Sequence, residues 1–177
     1  MKITKTKIEG AFILQPTVLV DDRGYFYESY NASTFEKLGI VAQFVQDNEA
    51  KSSFGVVRGL HFQKNEFAQA KLVRVTQGRV LDVLLDLRKN STSYGKFITV
   101  LLSGTNQKQI FIPRGIAHGY SVLSKTAVFN YKCDNYYSSS NEGGINPLDP
   151  ILNIDWKIEK SKMIISTKDK AWPNFLK

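Results

Sequence analysis

The residues with the greatest chemical capacity lie between positions 55 and 78, in GVVRGLHFQKNEFAQAKLVRVTQG. This stretch holds His61, one of only two histidines in the 177-residue chain, followed by Lys71 and a turn glycine, Gly78. An imidazole titrates near neutral pH and can accept a proton, whereas an ammonium is a fixed positive charge. Side by side they suit one kind of reaction: removing a proton from a carbon next to a carbonyl while stabilising the enolate oxygen that forms.

These groups need a rigid scaffold, and the sequence is patterned for strands. Period-two or apolar runs occur at 2–8, 11–20, 25–30, 43–47, 56–63, 71–76, 79–87, 96–102, 109–112, 117–123 and 126–134, separated by Gly, Asn, Asp and Ser turn signals. Many short strands with few helical patterns imply a β-sandwich or barrel. Ser33 and Glu36 are spaced as a capping box with Gly39 as a stop, which predicts a short helix over 33–38. Residues 138–144, SSSNEGG, read as a flexible loop, Pro147 and Pro150 keep the next stretch irregular, and the tail from 162 offers a last strand and then a charge cluster. The length suits one domain, spanning 1–177, with a substantial core.

Composition narrows the class. No apolar run is long enough to span a membrane and the start has no signal-peptide core, so a cytoplasmic protein without membrane contact is expected. The single cysteine, Cys133, cannot form an internal disulfide and reads as a half-buried structural thiol. A net charge of +8 invites nucleic acid as a partner, but the Lys and Arg residues form no block or recognition helix. No nucleic-acid partner is expected; a basic pocket for a diphosphate explains part of the excess.

The spacing around His61 resembles the first signature of the cupin β-barrels. In metal-binding cupins a second His and a later Glu complete the ligand set, and those two positions here are Gln63 and Lys71. An ammonium repels a divalent cation, so a metal-free pocket is expected. The second signature, Pro-x-Gly-x-x-His, is matched by 113–118, which places His118 on a strand pointing into the barrel. Both histidines thus occupy signature positions, and the fold expected is all-β, a cupin-type jelly-roll β-barrel with a few short helices.

A closer resemblance covers nearly the whole chain. Residues 22–28 (DRGYFYE), 46–48 (QDN), 58–63 (RGLHFQ), 71–75 (KLVRV), 82–88 (DVLLDLR), 112–119 (IPRGIAHG) and 131–132 (YK) are similar, in order, to the dTDP-4-dehydrorhamnose 3,5-epimerase family. The resemblance implies a metal-independent enzyme without cofactor, a homodimer with exchanged strands, and dTDP-4-dehydro-6-deoxyglucose as substrate. It makes His61 the base, Asp169 the carboxylate that orients it, Lys71 the stabiliser of the O4 enolate and Tyr131 the acid on the opposite face. Arg23 and Arg58 would hold the diphosphate. Phe26, Glu28, Gln46 and Asn48 would surround the nucleotide, with His118, Glu142 and Lys168 at the pocket edge. Glu49, Ala50, Ala70 and the proline-free loop 64–67 depart from the family pattern around the pocket without removing a catalytic group. Three other readings remain open here: an epimerase of C3 or C5 alone on a related dTDP-4-keto sugar, a binding-only cupin that senses a sugar nucleotide, and a metal-dependent cupin oxygenase.

Overall fold

A computed structural model describes residues 1–176. In chain order the strands are β1 (Lys2–Lys5), β2 (Phe12–Gln15), β3 (Leu19–Asp21), β4 (Gly24–Phe26), β5 (Gln46–Ser53), β6 (Val57–Gln63), β7 (Lys71–Gln77), β8 (Arg79–Asp86), β9 (Phe97–Ser103), β10 (Gln109–Ile112), β11 (Ile116–Val122), β12 (Thr126–Cys133) and β13 (Glu142–Gly144). Two short helices, α1 (Ala32–Lys37) and α2 (Thr167–Lys170), complete the regular structure with a few 3₁₀ turns. A six-stranded sheet in the order β1-β2-β10-β7-β12-β5 faces a five-stranded sheet in the order β13-β6-β11-β8-β9, and β3 pairs with β4 in a separate two-stranded hairpin. All strand pairs within these sheets are antiparallel. This is the jelly-roll barrel of the cupin type. No helix among the described residues is long and apolar enough to cross a membrane.

Strand alternation explains the layers. Inward side chains from the two sheets, Val73, Val75, Ile110, Ile112, Ala127 and Phe129 against Val80, Leu84, Val122 and Leu102, form the barrel core. The outward face of the five-stranded sheet (Val57, Leu60, Val83, Leu85, Ala117) is covered by the C-terminal segment through Trp156, Ile165 and Phe175. On the other sheet, Leu14, Leu72 and Phe111 are covered by Phe35 of α1. Strand β8 is therefore buried on both faces, which is why it reads as VLDVLLD with hardly any alternation.

Several local expectations need correction, among them the flexible loop at 138–144, where a 3₁₀ turn leads instead into strand β13, which pairs with β6. Helix α1 begins one residue earlier than the capping box suggests, because the side chain of Asn31 accepts from the Thr34 N–H and serves as the cap in place of Ser33. The strand expected at 43–47 lies at Gln46–Ser53 instead, where the eight residues of β12 supply a full ladder. Only three residues of the stretch around the aromatic run 25–30 are extended, Gly24–Phe26, in an exposed hairpin. The tail forms a 3₁₀ turn at Lys160–Lys162, an isolated bridge at Ile164 and helix α2, not a strand, because Ser166 caps Asp169 and starts a turn of helix there.

Candidate active site

The inward rows of the two sheets meet at one end of the barrel. On the five-stranded sheet, His61 of β6 lies opposite His118 of β11 on one side and Gly144 of β13 on the other. On the six-stranded sheet, Lys71, Cys133 and Gln46 align across β7, β12 and β5, and Val73, Tyr131 and Asn48 form the next row. Side chains two apart on a strand share a face, so Lys71 and Tyr131 look across the barrel at His61. A cleft of about 320 Å³ is lined by His61, Gln63, Lys71, Tyr131, Tyr137 and Glu142, among others, and it continues beneath Arg58, His118 and Tyr120.

His61 Nε2 donates to Asp169 Oδ1 at 2.6 Å, and the other carboxylate oxygen accepts from the Gly59 N–H at 3.3 Å. Burial alone would raise the Asp169 carboxyl, but the His61 hydrogen bond and charge, with help from Gly59 and Ser166, hold it below its usual value. With Nε2 engaged by the carboxylate, Nδ1 is the ring nitrogen left for a substrate proton. Gly59 has φ +121°, and a Cβ there would fall 2.5 Å from the Cα of Gly119. Glycine is needed both for that backbone angle and for the close approach of β6 to β11 beside His61.

The opposing groups have shifts that suit their chemistry. Burial is the main cause holding Lys71 below the ordinary lysine value, and its ammonium makes no hydrogen bond among the described residues. It lies 5.9 Å from the centre of the Tyr131 ring. Burial pushes Tyr131 above the usual phenol value, so this side chain holds its proton at neutral pH. Cys133, between Gln46 and Lys71 in its row, is pushed up to about 11, chiefly by burial, and stays a thiol.

The remaining expected residues divide into two groups. Gln46, Asn48, Arg58, His118 and Glu142 all line the cleft or its extension. Lys168 stands at its rim, where its Nζ donates to Glu142 at 2.6 Å and Tyr137 donates to the same carboxylate at 2.7 Å. Arg23, Phe26 and Glu28 are not among the residues of the cleft. Arg23 pairs with Asp21 and is 90% exposed, Phe26 is 69% exposed, and Glu28 accepts from Asn31 and Thr34.

The structure also brings in residues that the spacing of motifs does not single out. Asp82, fully buried, accepts from His118 Nε2 at 2.7 Å, and its second oxygen has no partner among the described residues. Burial raises its carboxyl, and His118 and Lys71 offset this only in part. Its signal in the sequence is a lone carboxylate at an inward position of an apolar strand, Val80-Leu-Asp82-Val-Leu84. Tyr137 reaches the cleft rim and has no local signal beyond its neighbour Tyr136. No cluster of three or more His, Cys, Asp or Glu side chains able to hold a metal ion occurs among the described residues.

The geometry therefore sets an imidazole hydrogen-bonded to a carboxylate on one wall against a phenol and a cation on the other, the cation having no hydrogen-bond partner among the described residues. Comparison with known proteins shows the family. The sequence model of the dTDP-4-dehydrorhamnose 3,5-epimerase family matches residues 5–177. The dTDP-4-dehydrorhamnose 3,5-epimerase of Escherichia coli K12 is 52% identical over 171 residues, covering 96% of this chain and 92% of that protein. The crystal structure of the enzyme of that name from Elizabethkingia anophelis superimposes with a TM-score of 0.95 at 53% identity, covering 99% of this chain and 96% of the other. An epimerase from Legionella pneumophila in complex with dTDP-4-keto-L-rhamnose superimposes with a TM-score of 0.93 at 45% identity, covering 98% and 92%.

Proposed function

The chain belongs to the dTDP-4-dehydrorhamnose 3,5-epimerase family, and on that premise we propose how its cleft performs the reaction. The enzyme is an isomerase of the dTDP-L-rhamnose route, converting dTDP-4-dehydro-6-deoxy-D-glucose to dTDP-4-dehydro-L-rhamnose by inversion at C3 and C5. The observation that carries the assignment of roles is that the His61–Asp169 pair faces Tyr131 and Lys71 from the opposite sheet.

The C4 ketone acidifies the hydrogens on C3 and C5. His61 Nδ1 takes one of these, and the electron pair moves onto O4, where the Lys71 ammonium stabilises the enolate. Asp169 stabilises the imidazolium that forms and fixes the ring orientation. Tyr131 returns a proton from the other wall, so the carbon inverts rather than regaining its original configuration. The imidazolium then releases its proton to solvent water and the Tyr131 phenolate takes one up, so that the same set acts on the second carbon. Each step needs only proton transfer and charge stabilisation, and the donor set around His61, with Gln63 and Lys71 in the flanking positions, suits a site without metal or cofactor.

Arg58 binds the diphosphate with Lys168 at the rim, while Gln46, Asn48, His118 and Glu142 line the rest of the sugar-nucleotide site. Arg23, Phe26 and Glu28 reach a nucleotide only if the β3–β4 hairpin enters a neighbouring cleft, which is the arrangement in a homodimer with exchanged strands. Two features support it: the hairpin exposes Leu19, Val20, Tyr25 and Phe26, and β5 is an edge strand whose outer side has no strand partner among the described residues. Sedimentation should give a dimer, and Phe26→Ala should weaken dTDP binding without touching the base.

The function is tested by incubating the protein with dTDP-4-dehydro-6-deoxyglucose, a 4-reductase and NADPH. Formation of dTDP-L-rhamnose by the wild type, and none by His61→Ala with dTDP still bound, is expected. Turnover by His61→Ala at the wild-type rate would remove His61 from the mechanism.

A further inference from the structure

Gly144 and Trp172 make a second connection between the segments that carry the base and its carboxylate. Gly144 stands directly opposite His61 in the β13–β6 ladder. The Trp172 indole lies against its Cα, so that a Cβ built on Gly144 would fall 2.4 Å from Cδ2, Cε2 and Nε1 of the ring. The φ of Gly144 lies outside the left-handed region, so space over its Cα, and not backbone conformation, requires glycine there.

Trp172 comes three residues after Asp169, and its N–H approaches the Asp169 carbonyl at 3.4 Å. Residues three apart on a helical turn share a face. Helix α2 has four residues, far too few to persist without tertiary support. Ser166 caps its start, and the seat of the indole on Gly144 lies just beyond its end. The indole N–H has no acceptor among the described residues, so the fit is decided by shape rather than by a hydrogen bond. Four links thus close a ring: His61 to Gly144 by strand pairing, Gly144 to Trp172 by contact, Trp172 to Asp169 along one turn, and Asp169 to His61 by the 2.6 Å bond.

We propose that Trp172, seated on Gly144, is a positioning residue that sets the Asp169 carboxylate against the catalytic imidazole. The inference rests on the proposed function for what the base does to substrate. The same ring lies 5.9 Å from the Lys168 ammonium, at its centroid, and Lys168 bonds Glu142 at the rim. One indole therefore supports both the carboxylate behind the base and a cation of the binding site. Loss of the first shows in kcat and loss of the second in KM.

The test compares Gly144→Ala, Trp172→Leu and the double variant. It uses two readouts: kcat and KM with dTDP-4-dehydro-6-deoxyglucose, and the far-downfield imidazole N–H proton resonance of the His61–Asp169 bond in the protein without substrate. Gly144→Ala and Trp172→Leu are each expected to lose that resonance and at least about tenfold in kcat, a part of the 10²–10⁴-fold that a positioned base supplies. The double variant should regain both, since the alanine methyl refills the space above Cα that the smaller leucine vacates, and such contacting pairs are non-additive. A Gly144→Ala protein that keeps the resonance and kcat, or loses kcat with the resonance intact, overturns the proposal. Should Gly144→Ala fail to fold, Trp172→Leu decides by the same two readouts. If the wild type and variants show the expected resonance pattern while the wild type converts no sugar nucleotide, the positioning role stands and the proposed function falls.

Discussion

Replacing Asp169 with Asn keeps the shape of the side chain and removes its charge, and the hydrogen bonds around it determine the consequence. Both carboxylate oxygens accept: Oδ1 from His61 Nε2 at 2.6 Å and Oδ2 from the Gly59 N–H at 3.3 Å. An amide offers one acceptor and one NH₂, so one of these two donors must face another donor. If the NH₂ turns toward Gly59, His61 keeps its tautomer but loses the charge that stabilises its protonated form. If it turns toward His61, Nε2 must present a lone pair and the proton moves to Nδ1, the nitrogen needed for abstraction. A unit charge about 4 Å from the imidazolium, at an effective dielectric of about 20, is worth about 4 kcal/mol. That corresponds to about a thousandfold in rate. The reductase-coupled assay should therefore show kcat lowered by about 10²–10⁴-fold, with dTDP affinity nearly unchanged because Asp169 acts on the ring and not on the nucleotide. A folded Asp169→Asn protein within about threefold of wild-type kcat would refute the reasoning, since even one misdirected hydrogen bond costs more than that.

Tyr131→Phe should still wash deuterium from D₂O into the substrate while forming little inverted product, because the base remains and the acid is gone; full inversion by that variant, measured by NMR, would assign the acid elsewhere. Lys71→Met should lower kcat yet raise the thermal midpoint at neutral pH. Burial depresses the folded value of Lys71, so the unfolded chain holds that proton more tightly and the charged lysine costs stability. The cost stops growing as pH falls below the depressed value and fades as pH rises toward about 10.4, the value in the unfolded chain, so the stability gap between variant and wild type should narrow there; a lower midpoint for Lys71→Met at pH 7 would contradict this. Asp86, fully buried, accepts from Arg88, Ser91 and Ser93, and these bonds outweigh the burial that would raise it and hold it far below its ordinary value. Asp86→Ala should cost about 3–5 kcal/mol in urea unfolding at pH 7, as expected when one partner of a buried pair is removed. That stabilisation is present above about pH 4 and lost as pH falls toward the depressed value. A gap unchanged between about pH 7 and about pH 3 would rule out the carboxylate as its source.

Most of the barrel is legible because its strands obey period two around a two-faced core, and β7, β8, β11 and β12 lie close to where the pattern places them. Strand β5 is harder to place because QDNEAKSS has no β-branched or aromatic residue. Its inward face carries Gln46 and Asn48 of the cleft and its outward face is exposed, so polarity on both sides hides the strand. Gly143 and Gly144 suggest flexibility on local grounds. In the fold they are packed, with a Cβ on Gly143 meeting Phe62 Cζ at 2.6 Å and one on Gly144 meeting the indole. Helix α2 has a local start signal in Ser166, three residues before Asp169, but no apolar period follows it, and four residues of helix persist only with tertiary contacts. The position of Asp169 can therefore be inferred only from family resemblance, and nothing in the tail shows that it meets His61. His118 and Lys71 are within reach of motif spacing, but the bond that ties Asp82 to His118 becomes evident only when β8 and β11 are paired.

In the proposed mechanism one base and one opposed acid move protons at two carbons flanking a ketone. Proton NMR of dTDP-4-dehydro-6-deoxyglucose incubated with chelator-treated protein in D₂O, with the product trapped by the 4-reductase, tests this most directly. Deuterium at both C3 and C5, with recovery as dTDP-L-rhamnose, is expected. Label at a single carbon, or none, would contradict the mechanism.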